Sequence, residues 1–141
     1  MIVLEKTQFD EILMHCINAM PNEACGLLGG RVEGDLRIVG KVYLLSNMDN
    51  SPEHFSMNPK EQFNAIKDIR ANGWTMFGNF HSHPASPSRP SEEDIRLAFD
   101  PEASYLILSL SDKNKPVLKS FRIHGGEAEE EAIKLRNTRL K

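Results

Sequence analysis

Apolar residues recur along this chain at two periods, and the switches between them mark out its elements. Ile2 to Leu4 predicts a short strand. Phe9, Ile12, Leu13, Ile17 and Met20 then recur at helical spacing, which predicts an amphipathic helix over residues 8–20. Thr7-Gln8-Phe9-Asp10 resembles a capping box at its start, and Pro21 and Asn22 end it. Ala24 to Gly30 reads as a buried strand whose glycines imply tight packing or a turn. Glu33-Gly34-Asp35 predicts a turn into a second strand, Leu36 to Leu45, making a hairpin. Residues 46–54 are polar and turn-rich.

The second half repeats the alternation. Asn58-Pro59-Lys60-Glu61 combines an N-cap asparagine, a first-turn proline and an acid ahead of an apolar stripe of Phe63, Ala65, Ile66 and Ile69. Asn72-Gly73 closes that helix. Trp74 to Phe80 predicts a strand running into His81, and Pro84, with no N–H, stops it. Ser91 to Phe99 predicts a short helix with Ile95, Ala98 and Phe99 on one side, stopped by Asp100-Pro101. Tyr105 to Leu108 is a continuous apolar run, expected of a central strand. Val117 to Ile123 follows a turn at 112–116, and Glu129 to Leu135 fits either an edge strand or a charged helix before a fraying end. The fold class is therefore α+β: one domain, with a mixed, mostly antiparallel sheet flanked by helices.

Composition narrows the partners. The 141 residues are 40% hydrophobic and 26% charged, ordinary usage for one domain with a real core. Seventeen basic against 20 acidic residues give a net charge of -3, without the basic character that nucleic-acid binding usually shows. Cys16 and Cys25 form no C-x-x-C and read as reduced core thiols of a cytoplasmic protein. The start turns charged at Glu5 and Lys6, without a signal-peptide core, and no run approaches the ~18 apolar residues of a membrane span. Neither nucleic acid nor membrane is an expected partner; the expected state is monomer or homodimer.

The chemistry lies in His81-Ser82-His83-Pro84 and the loop to Asp94. In a strand, residues i and i+2 share a side, so His81 and His83 project together and Ser82 faces away. Asp94, opening the next helix, can return to them. Two imidazoles and a carboxylate leave one position of a tetrahedral zinc site open for water. Ser91-x-x-Asp94 is also a capping box, which orders the turn that aims Asp94. A proton acceptor is still needed, and Glu23 is the candidate, although by position alone it reads as an exposed loop carboxylate. A nucleophilic Cys25 is disfavoured, because the nearby carboxylate raises a thiol's pKa. His15, His54 and His124 have no ligand spacing and read as surface or hydrogen-bonded histidines; Ser86 and Ser88 read as loop.

Glu23 followed by His81-Ser82-His83-Pro84, six residues, and Ser91-x-x-Asp94 resembles the JAMM (MPN-plus) metalloprotease signature, E…H-S/T-H-P-x(6)-S-x-x-D. Pro21 to Gly30 is similar to the family's block around its glutamate, and the resemblance runs to about residue 124, leaving 125–141 as an edge strand or charged tail. It implies an MPN, cytidine-deaminase-like arrangement and a zinc peptidase or isopeptidase with one zinc per chain. His81, His83 and Asp94 would be its ligands. Glu23 would be the general acid/base and Ser91 a hydrogen-bond donor to the oxyanion. The short chain resembles the stand-alone prokaryotic members, associated with ubiquitin-like sulfur carriers ending in Gly-Gly. The strand around Glu23 and the loop near 46–58 are candidate walls for that tail. Two alternatives stand beside this: a non-catalytic MPN-like binding module, which would need no ligand set, and a JAMM-like nucleic-acid repair factor, which the acidic charge disfavours.

Overall fold

A computed structural model describes residues 1–137. The expected fraying of the last residues falls on 138–141, outside the described residues. The elements are β1 (Ile2–Glu5), α1 (Lys6–Ala19), β2 (Cys25–Glu33), β3 (Leu36–Leu45), α2 (Pro59–Ala71), β4 (Thr75–His83), α3 (Glu92–Arg96), β5 (Ser104–Ser109), β6 (Val117–His124), β7 (Glu127–Glu131) and β8 (Ile133–Arg136). The strands form one eight-stranded sheet in the order β7-β6-β5-β4-β2-β3-β1-β8. β1 is parallel to β3 and β8, and β4 to β5, while the other neighbours run antiparallel. This is the mixed, mostly antiparallel sheet with flanking helices that the pattern predicts.

Three helices depart from expectation in detail. α1 begins at Lys6 with Glu5 as N-cap, two residues before Thr7. The Glu5 N–H donates to Gln8 Oε1 at 2.9 Å, so Gln8 rather than Asp10 closes the box. The buried row of α1 is Gln8, Ile12 and Cys16, while Ile17 is exposed. In α2, Asn58 Oδ1 accepts the Lys60 and Glu61 N–H groups at 3.0 and 3.1 Å, the expected cap. Its buried residues are Ala65 and Ile69; Phe63 is off that i, i+4 row and exposed. α3 stops at Arg96. Ile95 and Ala98 pack on Ile107, Phe121 and Ile123, but Phe99, beyond the helix and its periodicity, is 83% exposed.

The sheet carries α1 on one face and α2 with α3 on the other. Ile12 and Cys16 meet Leu28, Phe80, Leu106 and Leu108 in the larger core. Ala65 and Ile69 meet Cys25, Leu27 and Tyr43 across the sheet from it. Gly29 sets the approach of α2, since a Cβ there would lie 2.6 Å from Ile69 Cγ1. β2 outruns the expected Gly30 to Glu33, because its exposed end still pairs with Leu36 to Ile38 in the hairpin.

Residues 127–136 are strands, not a charged helix, and they sit at opposite ends of the sheet. β7 joins β6 and β8 joins β1, with Ala132 alone between them, so the sheet curls until its two ends meet. Glu131, at the end of β7, accepts from Ser104 Oγ of β5 at 2.7 Å and from Ser120 Oγ of β6 at 2.9 Å. Among the described residues, no helix is long and apolar enough to cross a membrane.

Candidate metal centre

The end of β4 carries the two histidines. His81 pairs in register with Cys25 and Ile107, whose side chains pack under α2 and α3, so His81 and His83 face that side. Ser82 faces the other way and is fully buried. Its Oγ accepts the Ala24 N–H at 2.8 Å and its own N–H donates to the Ala24 carbonyl at 3.0 Å. The histidine strand is thereby bolted to the residue after Glu23.

Beyond Pro84 the loop folds back. His83 Nδ1 donates to the Pro87 carbonyl at 2.9 Å, which leaves its Nε2 as the basic nitrogen. Ser88, read as plain loop, is buried: its Oγ accepts the Ser109 N–H at 3.1 Å and donates to the Val117 carbonyl at 2.5 Å. The chain then enters α3 through Ser91, whose Oγ accepts the Asp94 N–H at 3.0 Å while its N–H donates to Asp94 Oδ2 at 2.9 Å. This box turns Asp94 inward.

Three atoms converge. His81 Nε2 and His83 Nε2 are 3.2 Å apart, and each is 3.1 Å from Asp94 Oδ2. That triangle is close to the ligand spacing of a tetrahedral site with bonds of ~2.0–2.1 Å, so the donor set fits a divalent cation. Burial alone would raise the Asp94 pKa, but hydrogen bonds from His81 and His83 hold it well below the usual carboxylate range. Burial works against charge on His83, and the bond to Asp94 still raises its pKa. The His81 ring stacks on Phe55, centroids 4.8 Å apart, while its Nδ1 is buried without a hydrogen-bond partner among the described residues.

Glu23 departs from the exposed loop carboxylate that its position suggests. It is 5% exposed and lines one cavity with His81 and Asp94 and another with His83 and Ser91. Burial raises its pKa to about 8, with His83 pulling it down and Asp94 pushing it up. Its backbone is tied at both ends of the residue. The Glu23 N–H donates to the Ser51 carbonyl at 2.8 Å, and its carbonyl accepts from Asn47 Nδ2 at 2.9 Å.

Asn47 is the residue that sequence reasoning missed. Its Nδ2 donates to the Glu23 and His54 carbonyls, each at 2.9 Å. Its Oδ1 accepts the Asp49 N–H at 3.0 Å and the Ser56 N–H at 3.1 Å. One carboxamide thus uses its full bonding capacity to knot the loop after β3 and to hold it on Glu23. That loop delivers Phe55 to His81 and His54 to Glu93, with Nδ1 2.8 Å from Glu93 Oε1. The only signal in the sequence was an asparagine in a turn-rich stretch.

The other candidates stay apart from this chemistry. Cys16 and Cys25 are buried free thiols, both pushed by burial to about 12. His15 Nε2 lies 2.9 Å from the Leu45 carbonyl and 3.1 Å from that of Cys25, a hydrogen-bonded histidine as read.

The sequence matches the prokaryotic homologues of the JAB domain over residues 5–124. The chain belongs to this JAB family. Among its relatives, the CysO-cysteine peptidase of Mycobacterium tuberculosis H37Rv is 29% identical over 132 residues, covering 94% of this chain and 89% of that protein. The desampylase of Pyrococcus furiosus is 30% identical over 112 residues, covering 73% and 77%. A solved protein of Desulfitobacterium hafniense is 61% identical, superposes with a TM-score of 0.90, and covers 98% of this chain and 94% of that one. As a JAB-family chain, the protein carries a His81, His83 and Asp94 group with the donors for a metal ion.

Proposed function

We propose that this JAB-family chain is a zinc-dependent peptidase or isopeptidase. Its substrate would be the amide bond after the C-terminal Gly-Gly of a ubiquitin-like or sulfur-carrier protein. The convergence of two imidazole nitrogens and one carboxylate oxygen within 3.2 Å, with buried Glu23 lining the cavities on both sides, carries this reading. The names of the relatives, a CysO-cysteine peptidase and a desampylase, support the same class of substrate.

His81, His83 and Asp94 would hold one zinc. Zinc at such a site supplies Lewis acidity, bringing the pKa of water to about 7 and polarising the scissile carbonyl. Glu23 takes the proton from the attacking water and returns it to the departing amine. Its carboxylate is suited to this because burial already weakens its acidity. Ser91 Oγ is spent as an acceptor from the Asp94 N–H, but its own hydrogen remains to donate to the oxyanion. Polar walls on the His83 side leave a wide cavity of about 620 Å³ for the carrier's tail. The cytoplasm is the compartment that two reduced thiols suit.

The test is a carrier protein extended past Gly-Gly, incubated with the zinc-loaded protein and read by mass. Hydrolysis is expected to stop with chelator and to fall by 10²-fold or more in Glu23→Gln, which keeps its zinc. Wild-type turnover by Glu23→Gln would remove Glu23 from the mechanism.

A further inference from the structure

The candidate metal site borders two cavities, and the one on the His81 side is the more apolar. The one on the His83 side is polar, bordered by Glu53, Glu92, Glu93 and Arg96. The one on the His81 side, about 280 Å³, is walled by Phe55, Leu97, Phe99, Tyr105, Ile107 and Ile123. Its floor is fully buried, with Ile107 0% and Ile123 2% exposed, whereas Leu97 and Phe99 at its lip are 50% and 83% exposed. Glu23, His81 and Asp94 border it directly. The Tyr105 hydroxyl is already bonded to the Asp100 backbone, accepting its N–H at 3.3 Å and donating to its carbonyl at 3.0 Å. Asn79 is the remaining uncharged polar side chain in the lining, and Glu53, His54 and Glu93 lie where the two cavities adjoin.

We propose that this apolar cavity is the subsite for the side chain of the residue whose amine departs, and that it selects an apolar residue in ordinary α-peptide linkage. The inference rests on the reading of the site given above. A glycine on the acyl side has no side chain to fill a cavity bordering the metal ligands. The first substrate residue that has one is the residue on the amine side. Apolar walls favour an apolar side chain through the area they remove from water. The acids at the junction of the cavities disfavour an acidic one. A lysine joined through its Nζ would set only its methylene stem against these walls, and its polar main chain would find no hydrogen-bond partner among the side chains of Phe55, Leu97, Phe99, Ile107 and Ile123. A side chain that ends inside the cavity meets no such obstacle.

Two measurements test this. Fusions of one sulfur-carrier protein, extended past Gly-Gly by a single residue, are compared for kcat/KM with the zinc-loaded enzyme. Leucine and methionine are expected to exceed serine, lysine and glutamate by tenfold or more, and to exceed the same carrier joined to a lysine Nζ. Leu97→Ala with Phe99→Ala is expected to flatten the preference. Separately, methyl resonances of Leu97, Ile107 and Ile123 are followed by NMR in metal-free Glu23→Gln protein titrated with Gly-Gly-Leu and Gly-Gly-Glu peptides. Selective shifts with the leucine peptide are expected. Equal rates for all extensions, or faster cleavage of the Nζ-linked lysine, would overturn the subsite and leave the hydrolase standing. Selective methyl shifts without any cleavage would leave an apolar peptide-binding cavity but overturn the hydrolase, and with it the leaving-residue role of the cavity. Neither cleavage nor shifts would overturn both.

Discussion

Asn47 shows how much of the site rests on one neutral side chain. Four hydrogen bonds from a single carboxamide connect the Glu23 backbone to the loop that carries His54 and Phe55. Asn47→Asp keeps the shape but turns both donors into acceptors facing two carbonyls. Leaving such groups unpaired costs about 1–3 kcal/mol each. Turnover is expected to drop at least tenfold with zinc affinity nearly unchanged, because the ligands lie on β4 and α3. Equal losses in both, measured by steady-state kinetics and metal titration, would make Asn47 a structural residue only. The ligands make a second prediction. Burial works against charge on His83, but the bond to Asp94 outweighs it and raises its pKa above the ordinary imidazole value. A cation needs the neutral imidazole, so affinity is expected to rise with pH through the His83 titration and to fall below it. Calorimetry in buffers of different ionisation enthalpy should show proton release, and none in that range would contradict the His83 assignment. At this scale the grouping of His81, His83 and Asp94 was legible, because strand alternation and a capping box are local rules. Asn47 and the burial of Glu23 were not, since both depend on a loop returning from elsewhere in the chain.

Elements read well where their signals are short-range. Asn58 caps α2 and Ser91 caps α3 through bonds spanning three residues at most. The start of α1 was misplaced because a glutamate served as cap, a residue outside the preferred set. Phe63 and Ile17 fitted apolar stripes but ended exposed, because what a helix buries is decided by where it docks on the sheet. For α2, docking is close at Gly29. Gly29→Val is expected to force α2 outward and cost about 1–3 kcal/mol. Chemical denaturation measures this, and unchanged stability would show that α2 packs with slack.

The whole molecule depends on its tail. Glu131 accepts from Ser104 and Ser120, and its carboxylate lies 3.8 Å from Arg122 Nη1. A chain ending at His124 loses this junction and both terminal strands. It is expected to melt well below the full chain or to aggregate through exposed edges. Scanning calorimetry with gel filtration is the measurement. A melting temperature equal to that of the full chain would establish residues 1–124 as an autonomous domain.

Local patterning by itself determined the order of strands and helices as far as β6, the α+β class and the grouping of His81, His83 and Asp94. Each of these is written in periodicities and caps that span only a few residues. Tertiary structure alone decided that Glu23 is buried beside those residues, that Asn47 holds it there, that an apolar cavity adjoins His81, and that β8 pairs with β1 at one end of the sheet while β7 pairs with β6 at the other. These are contacts between segments far apart in the chain. Their energy comes from burial and pairing that no local stretch can contain.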